Sequence, residues 1–158
     1  MAKAVALVLC ILAFATIGHG HQQGVFNVEG DVYCDPCRVQ FETELSKRLI
    51  GATVRLECRN LDTNAVTFTK EAVTGANGHY SLQVEGDHEN DSCEVSVVKS
   101  PREDCSTPMD DFDKAKIVCS DNTGMHSTVR FANPIGFMTK TALPQCGPVL
   151  YNLGILLE

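Results

Sequence analysis

The stretch Val32-Tyr33-Cys34-Asp35-Pro36-Cys37-Arg38 sets two cysteines three positions apart, and the role given to them decides the fold. A Cys-x-Pro-Cys pair near a βαβ pattern would be a thioredoxin-type dithiol. A second such pair, or two histidines at finger spacing, would make it half of a zinc site. In an oxidising compartment the same two cysteines serve as anchors of separate disulfides.

The N-terminus speaks to compartment. Lys3 precedes an apolar run from Ala4 to Ile17, and Gly18 and Gly20 supply small residues at positions −3 and −1 of a cleavage site. Residues 1–20 therefore read as a secretory signal peptide. The run is short for a hydrocarbon core about 30 Å thick, and no later segment is apolar enough to cross, so no membrane insertion is expected. What remains, residues 21–158, is expected to be one secreted, extracellular domain long enough to bury a real core. The whole chain carries a net charge of −7, and loss of Lys3 makes it one unit more negative. Such a surface repels nucleic acid and anionic lipid. The acidity is spread through the chain except for short clusters such as Gly86–Asp91 (GDHEND) and Met109–Asp113 (MDDFD), which read as solvated loops.

Of the eight cysteines, Cys10 lies in the signal, leaving Cys34, Cys37, Cys58, Cys93, Cys105, Cys119 and Cys146. In a secreted chain these form structural disulfides, with one odd thiol left over. Spacing alone leaves on the order of a hundred pairings open. The zinc reading lacks a second half at finger spacing, and thiols in this compartment oxidise before they bind metal. The dithiol reading lacks a βαβ context, because the segments that follow are short strands.

Polar and apolar residues alternate over Val25 to Tyr33, Ala52 to Cys58, Ala65 to Val73, Tyr80 to Val84 and Cys93 to Lys99. Ala115 to Cys119, Thr128 to Phe131 and Phe137 to Thr141 are further candidates. Asn77-Gly78 can provide the positive φ angles of a tight hairpin turn between its flanking strands. Phe41, Leu45 and Leu49 recur at helical spacing, so Val39 to Ile50 can form a short amphipathic helix. Val149 to Leu157 fits a second short helix or a strand. The expected class is all-β and mainly antiparallel: a sandwich or barrel of about seven strands with one or two short helices. The cadence of Gly51 to Val84 also resembles the transthyretin-like and carboxypeptidase-regulatory β-domains, which specifies a sandwich and no activity.

Little in the chain points to catalysis. His79, His88 and His126 are scattered without ligand spacing, and the adjacent acids Asp110-Asp111 have no feature of a glycosidase pair. Nucleophile elbows, zincin helices and phosphate-binding glycine loops are missing. The expectation is a non-enzymatic protein with no catalytic residue, cofactor or metal. Asn90-Asp91-Ser92 is a glycosylation sequon in a polar loop, making Asn90 the expected glycan site.

These residues carry a resemblance. Gly30-Asp31-Val32-Tyr33-Cys34-Asp35-Pro36-Cys37-Arg38 is similar to the Gly-x-Val-Tyr-Cys-Asp-x-Cys-Arg signature of the Ole e I-like pollen proteins, the family of the olive-pollen major allergen. GATVRLECRN (51–60), GDHENDSCEV (86–95), KSPREDC (99–105), RFANPIGF (130–137) and the late Pro144-Gln145-Cys146 extend the similarity over the whole mature chain. Within the family the chain looks closest to the tomato-type anther and pollen-tube proteins. One departure is Pro36, where Thr is common; it stiffens the loop between the cysteines.

The resemblance implies disulfides Cys34–Cys105, Cys37–Cys146 and Cys58–Cys93, with Cys119 as the odd thiol, buried in the core. It also implies a secreted pollen protein, an allergen as many family members are, with no established catalytic residue. Some family members act as extracellular ligands of receptor kinases during pollen hydration, germination and tube growth. A receptor-kinase ectodomain is therefore the expected partner, with recognition carried by exposed loops. A cell-wall-associated structural or carbohydrate-binding protein is the alternative, disfavoured by the lack of Pro-rich tracts and basic patches. The sequence alone does not set the oligomeric state.

Overall fold

The computed structural model describes residues 24–121, 123–125 and 127–155. The signal peptide expected over residues 1–20 and His126 lie outside the described residues. Ten strands form two sheets that face each other as a sandwich and, among the described residues, do not close into a barrel. In chain order the strands are β1 (Val25–Asp35), β2 (Lys47–Arg48), β3 (Thr53–Asn60), β4 (Val66–Val73), β5 (His79–Glu85), β6 (Asp91–Lys99), β7 (Thr107–Pro108), β8 (Lys114–Ile117), β9 (Val129–Phe131) and β10 (Ile135–Met138). Among the described residues there is one α-helix, α1 (Cys146–Asn152), after the last strand.

β1 organises the first sheet because it pairs along both edges in two halves. Its N-terminal half bonds β5 antiparallel, Val25↔Glu85 through Asp31↔His79, and β9 parallel, Asn27↔Val129 through Glu29↔Phe131. Its C-terminal half bonds β10 parallel, Val32↔Ile135 through Asp35↔Met138, and β2 antiparallel. Between the pairs Val28↔Arg130 and Val32↔Ile135, β1 advances four residues and its neighbour five. The extra residue falls in Ala132–Pro134, where Pro134 lacks the N–H that a continuous ladder would need. The second sheet runs β4-β3-β6-β8, all antiparallel.

Period-two alternation builds the core between the sheets. Phe26, Val28 and Val32 of β1, Tyr80, Leu82 and Val84 of β5, and Ile135 and Phe137 of β10 meet Val54, Leu56 and Cys58 of β3 and Cys93 and Val95 of β6. All are buried, and each fully buried aliphatic or aromatic side chain stabilises the fold by about 1.5–3 kcal/mol relative to exposure. Gly30, within the signature, faces Tyr80, and a Cβ there would meet the phenol oxygen at 2.4 Å.

The structure corrects two local expectations. The first concerns Val39 to Ile50, which is not helical: it runs as bends and turns into β2. Arg38 and Gln40 have φ of 58° and 61°, outside the helical region, and the N–H groups there are claimed by the Asp35 carboxylate. Phe41, Leu45 and Leu49 do not share a face: Phe41 is exposed, Leu45 packs on Cys37 and Cys146, and Leu49 enters the main core. The second concerns Asn77-Gly78. Both residues have positive φ, 59° and 71°, but the turn does not make a hairpin. β4 belongs to one sheet and β5 to the other, so the turn carries the chain across the sandwich.

The strand expected over Phe137 to Thr141 ends at Met138. The C-terminal element is a helix that begins at Cys146, three residues before the expected start.

Candidate functional site

Chemistry begins where β1 ends. The Asp35 side chain is fully buried, and its two oxygens take four backbone hydrogen bonds. Cys37 N and Arg38 N donate to Oδ1 at 2.8 and 2.9 Å, while Val39 N and Gln40 N donate to Oδ2 at 2.7 and 2.8 Å. The positive φ angles at Arg38 and Gln40 turn successive N–H groups inward, forming a backbone nest around an anion. The Pro36 carbonyl accepts from Leu143 N at 3.0 Å and from Thr139 Oγ1 at 3.3 Å. Arg38 Nη1 donates to the Thr139 carbonyl.

Two disulfides cross at this corner, Cys34–Cys105 and Cys37–Cys146. Cys34 and Cys37 therefore belong to different bonds and form no dithiol. The third bond, Cys58–Cys93, ties β3 to β6, and Cys119 is buried and free. These are the pairs that the resemblance implies.

The pinned corner holds an exposed face. Gln40 Oε1 accepts from Asp110 N at 3.0 Å and Asp111 N at 3.1 Å, locking the acidic loop 109–113 against the loop after β1. Phe41 and Phe112, 38% and 46% exposed, then stand on the rim of a hollow of about 250 Å³ floored by Tyr33 and Pro134. A second hollow of about 240 Å³ lies on the other side of Phe41, against Glu44, Val149 and Leu153. Glu42 borders both hollows and bonds Arg48 at 2.7 Å. Burial, with the nearby Glu42 and Asp35 carboxylates, pushes the Tyr33 phenol up to about 12, so it stays a neutral donor to Met109 Sδ at 3.7 Å. Aromatic surface bordered by carboxylates can bind a partner. It holds no nucleophile beside a base.

The remaining candidates are scattered through the fold. His79 Nδ1 lies 3.0 Å from Asp31 Oδ1 and its Nε2 3.4 Å from Glu29 Oε2, on the outer side of β1 and β5. The hydrogen bond to Asp31 holds its pKa above the usual value. His88, in the loop before β6, has its Nδ1 2.9 Å from Asp91 Oδ2 at the start of that strand. The two acidic clusters are not the uniform solvated loops expected from the sequence. Asp91 keeps only 9% of its side chain exposed and accepts from Thr67 Oγ1 at 2.6 Å. Thr67, then His88, holds the Asp91 carboxyl below the usual range. Met109, at the start of the second cluster, is buried under Tyr33. Asp110 and Asp111 are exposed and used through their backbones, and Asn90 is exposed in the loop before β6.

Gln40, Phe41 and Phe112 escaped the sequence reading as site residues, although an aromatic residue inside an acidic run is a usable signal.

The family model described as "Pollen protein Ole e 1 like" matches residues 24–154. The anther-specific protein LAT52 of Solanum lycopersicum is 57% identical over 157 residues, covering 98% of this chain and 97% of that protein. Pollen allergen Che a 1 of Chenopodium album is 44% identical over 150 residues, covering 93% and 89%. Among solved structures, the major plantain pollen allergen Pla l 1 superposes with a TM-score of 0.69 at 37% identity, covering 77% of this chain and 99% of that one. These relatives are named for pollen, anther tissue and allergenicity, not for a catalytic activity.

Proposed function

We propose a function from the premise that the alignments establish: this chain belongs to the Ole e 1-like pollen protein family. It is a secreted, non-enzymatic binding module, a ligand for a receptor-kinase ectodomain during pollen hydration, germination and tube growth, and an allergen in its own right. Residues 1–20 act as the cleaved signal and Asn90 as a glycan site on a loop away from the Phe41 face.

One observation carries this reading. The aromatic, acid-bordered face around Phe41 and Phe112 is held on the corner with the most covalent reinforcement in the sandwich. Preorganisation of exposed aromatics lowers the ordering cost of association, and aromatic anchors dominate interface energies. Carboxylates at Glu42, Glu44, Asp110 and Asp111 favour a partner surface that combines basic and apolar residues.

Capture of pollen receptor-kinase ectodomains by the native glycosylated protein tests the reading. Binding should saturate, weaken with salt, and fall by about tenfold or more in Phe41→Ser and Phe112→Ser. Because both rings are substantially exposed, stability should drop by less than about 1 kcal/mol. Absence of saturable capture by any such ectodomain counts against the proposal, and retention on pectin or arabinogalactan at physiological salt would favour the cell-wall alternative.

A further inference from the structure

The second sheet gathers three sulfurs. Cys58 lies opposite Cys93 in the β3–β6 ladder, and Cys93 lies opposite Ile117 in the β6–β8 ladder. Cys119 follows Ile117 by two positions and so turns toward the same face. The Sγ atoms of Cys58, Cys93 and Cys119 all lie within 4.8 Å of one another, and all three residues are buried. Among the described residues no other three cysteines meet in this way. Two of the sulfurs are already joined, so the cluster offers no set of three thiolates for a metal.

The third sulfur is held in place. Arg130 is buried with its guanidinium 3.8 Å above the Phe26 ring centroid, donating Nη1 to the Val118 carbonyl at 2.6 Å and Nη2 to the Ser120 carbonyl at 2.5 Å. These carbonyls bracket Cys119, which makes Arg130 a positioning residue for the thiol.

The geometry points to an intramolecular thiol–disulfide exchange site in which Cys119 takes over one end of the Cys58–Cys93 bond. The Cys119 thiolate attacks Cys93 Sγ, the Cys58–Cys93 bond breaks, the Cys93–Cys119 bond forms, and Cys58 leaves as a thiolate that takes up the proton lost by Cys119. Attack on Cys58 Sγ gives Cys58–Cys119 and releases Cys93 instead. One disulfide and one thiol are present before and after, so the step needs no oxidant or reductant. The link that ties β6 to β3 thereby migrates to tie either strand to the segment after β8. A hollow of about 300 Å³, lined by His88, Glu89, Asp91, Lys116, Cys93 and Cys119, opens beside two of the three cysteines.

The environment sets the pace. Burial pushes the Cys119 thiol up to about 11, opposed by the Arg130 cation, and the charged or titratable groups facing the hollow are His88, Glu89, Asp91 and Lys116. Thiolate is scarce at neutral pH, so exchange is slow there and accelerates about tenfold per pH unit below the thiol pKa.

Peptide mapping without reduction tests the site. The native chain is incubated at pH 6 and at pH 9.5, quenched in acid, and alkylated in denaturant near pH 6. At pH 6 the label should fall on Cys119. At pH 9.5 about a tenth or more of the label should move to Cys58 or Cys93, with matching Cys119-linked peptides. Cys119→Ala should abolish the new linkages. Cys58→Ala, oxidised with glutathione disulfide, should form Cys93–Cys119. Label confined to Cys119 at both pH values overturns the proposal. So does label spread to Cys34, Cys37, Cys105 and Cys146, which would report general scrambling, and so does persistence of both thiols in Cys58→Ala.

Discussion

At the end of β1, Cys34 and Cys37 are neighbours in sequence yet bond partners 71 and 109 residues away. In the second sheet, Cys58 and Cys93 face each other across adjacent strands, 35 residues apart, with a third sulfur in reach. The first corner commits each sulfur to a different long loop, and the Asp35 nest between them satisfies the backbone donors of the turn. The second corner clips two strands that are already hydrogen-bonded and leaves a spare thiol beside the clip. Sequence proximity of cysteines is thus a poor guide to sulfur chemistry here. The motif that looks like a redox pair is inert scaffold, while the three cysteines scattered over 58–119 make the exchangeable cluster.

The largest test of this contrast removes one clip from each corner. Cys37→Ala with Cys146→Ala releases a loop of 109 residues, for which the chain-entropy model assigns about 5 kcal/mol. The double variant should unfold at much lower denaturant, and amides of 36–46 and α1 should lose exchange protection first. Removing the Cys58–Cys93 link opens a loop of 35 residues, about 4 kcal/mol on the same model. Cys58→Ala alone should lose clearly less than that, because Cys119 can bond Cys93 in its place. An equal loss in Cys58→Ala and in Cys58→Ala with Cys119→Ala would erase the distinction between the corners.

Next in size is Asp35→Ala, which removes the acceptor of four buried N–H bonds while leaving both disulfides intact. Bonds to charged groups are worth about 1.5–3 kcal/mol each, though not additively, so a net loss of about 4 kcal/mol is expected from denaturant unfolding. Asp35→Asn should lose roughly half as much, since one oxygen still accepts while the amide NH₂ faces two donors. If Asp35→Ala changes stability by less than about 1 kcal/mol, the disulfides alone hold the corner and the nest is incidental.

The sequence exposed some of this architecture and concealed the rest for identifiable reasons. Val54, Leu56 and Cys58 alternate with Thr53, Arg55 and Glu57, so β3 was readable, as were β5 and β6, because an inner face and an outer face leave a period of two. β2 and β7, two residues each, are too short to leave one. The parallel seats of β9 and β10 on β1 are long-range choices that local pattern does not encode.

The i, i+4, i+8 spacing of Phe41, Leu45 and Leu49 is real, but capture of the Arg38 and Gln40 N–H groups by Asp35 goes with positive φ angles that a helix does not admit. The same capture turns Phe41 outward and creates the candidate face, so one buried carboxylate accounts for both the failed helix and the site missed with it. The three disulfides were open on spacing and became specific only through family resemblance. The proximity of Cys119 to Cys58 and Cys93 needed the strand register.

The smallest expected effect concerns pH, and it separates the two sheets. Asp91, beside the sulfur cluster, has its folded pKa depressed by the Thr67 hydroxyl first and His88 next. A depressed carboxyl contributes stability that is fully present above its unfolded value, near 3.8, and is lost as pH falls through the lower folded value. His79, on β5 of the other sheet, has its folded pKa raised by Asp31. Its contribution is fully present below the unfolded value, 6.5, and is lost as pH rises through the higher folded value. The second sheet should therefore loosen on the acid side and the first, slightly, on the neutral-to-alkaline side. Hydrogen exchange at the start of β6 and along β5, followed against pH, reads the two separately. Thr67→Val should raise the Asp91 pKa and move the β6 transition to higher pH without touching the His79 titration. A β6 transition that stays in place in Thr67→Val would show that the Thr67 bond does not set the acid limit of the sheet that carries the exchangeable sulfurs.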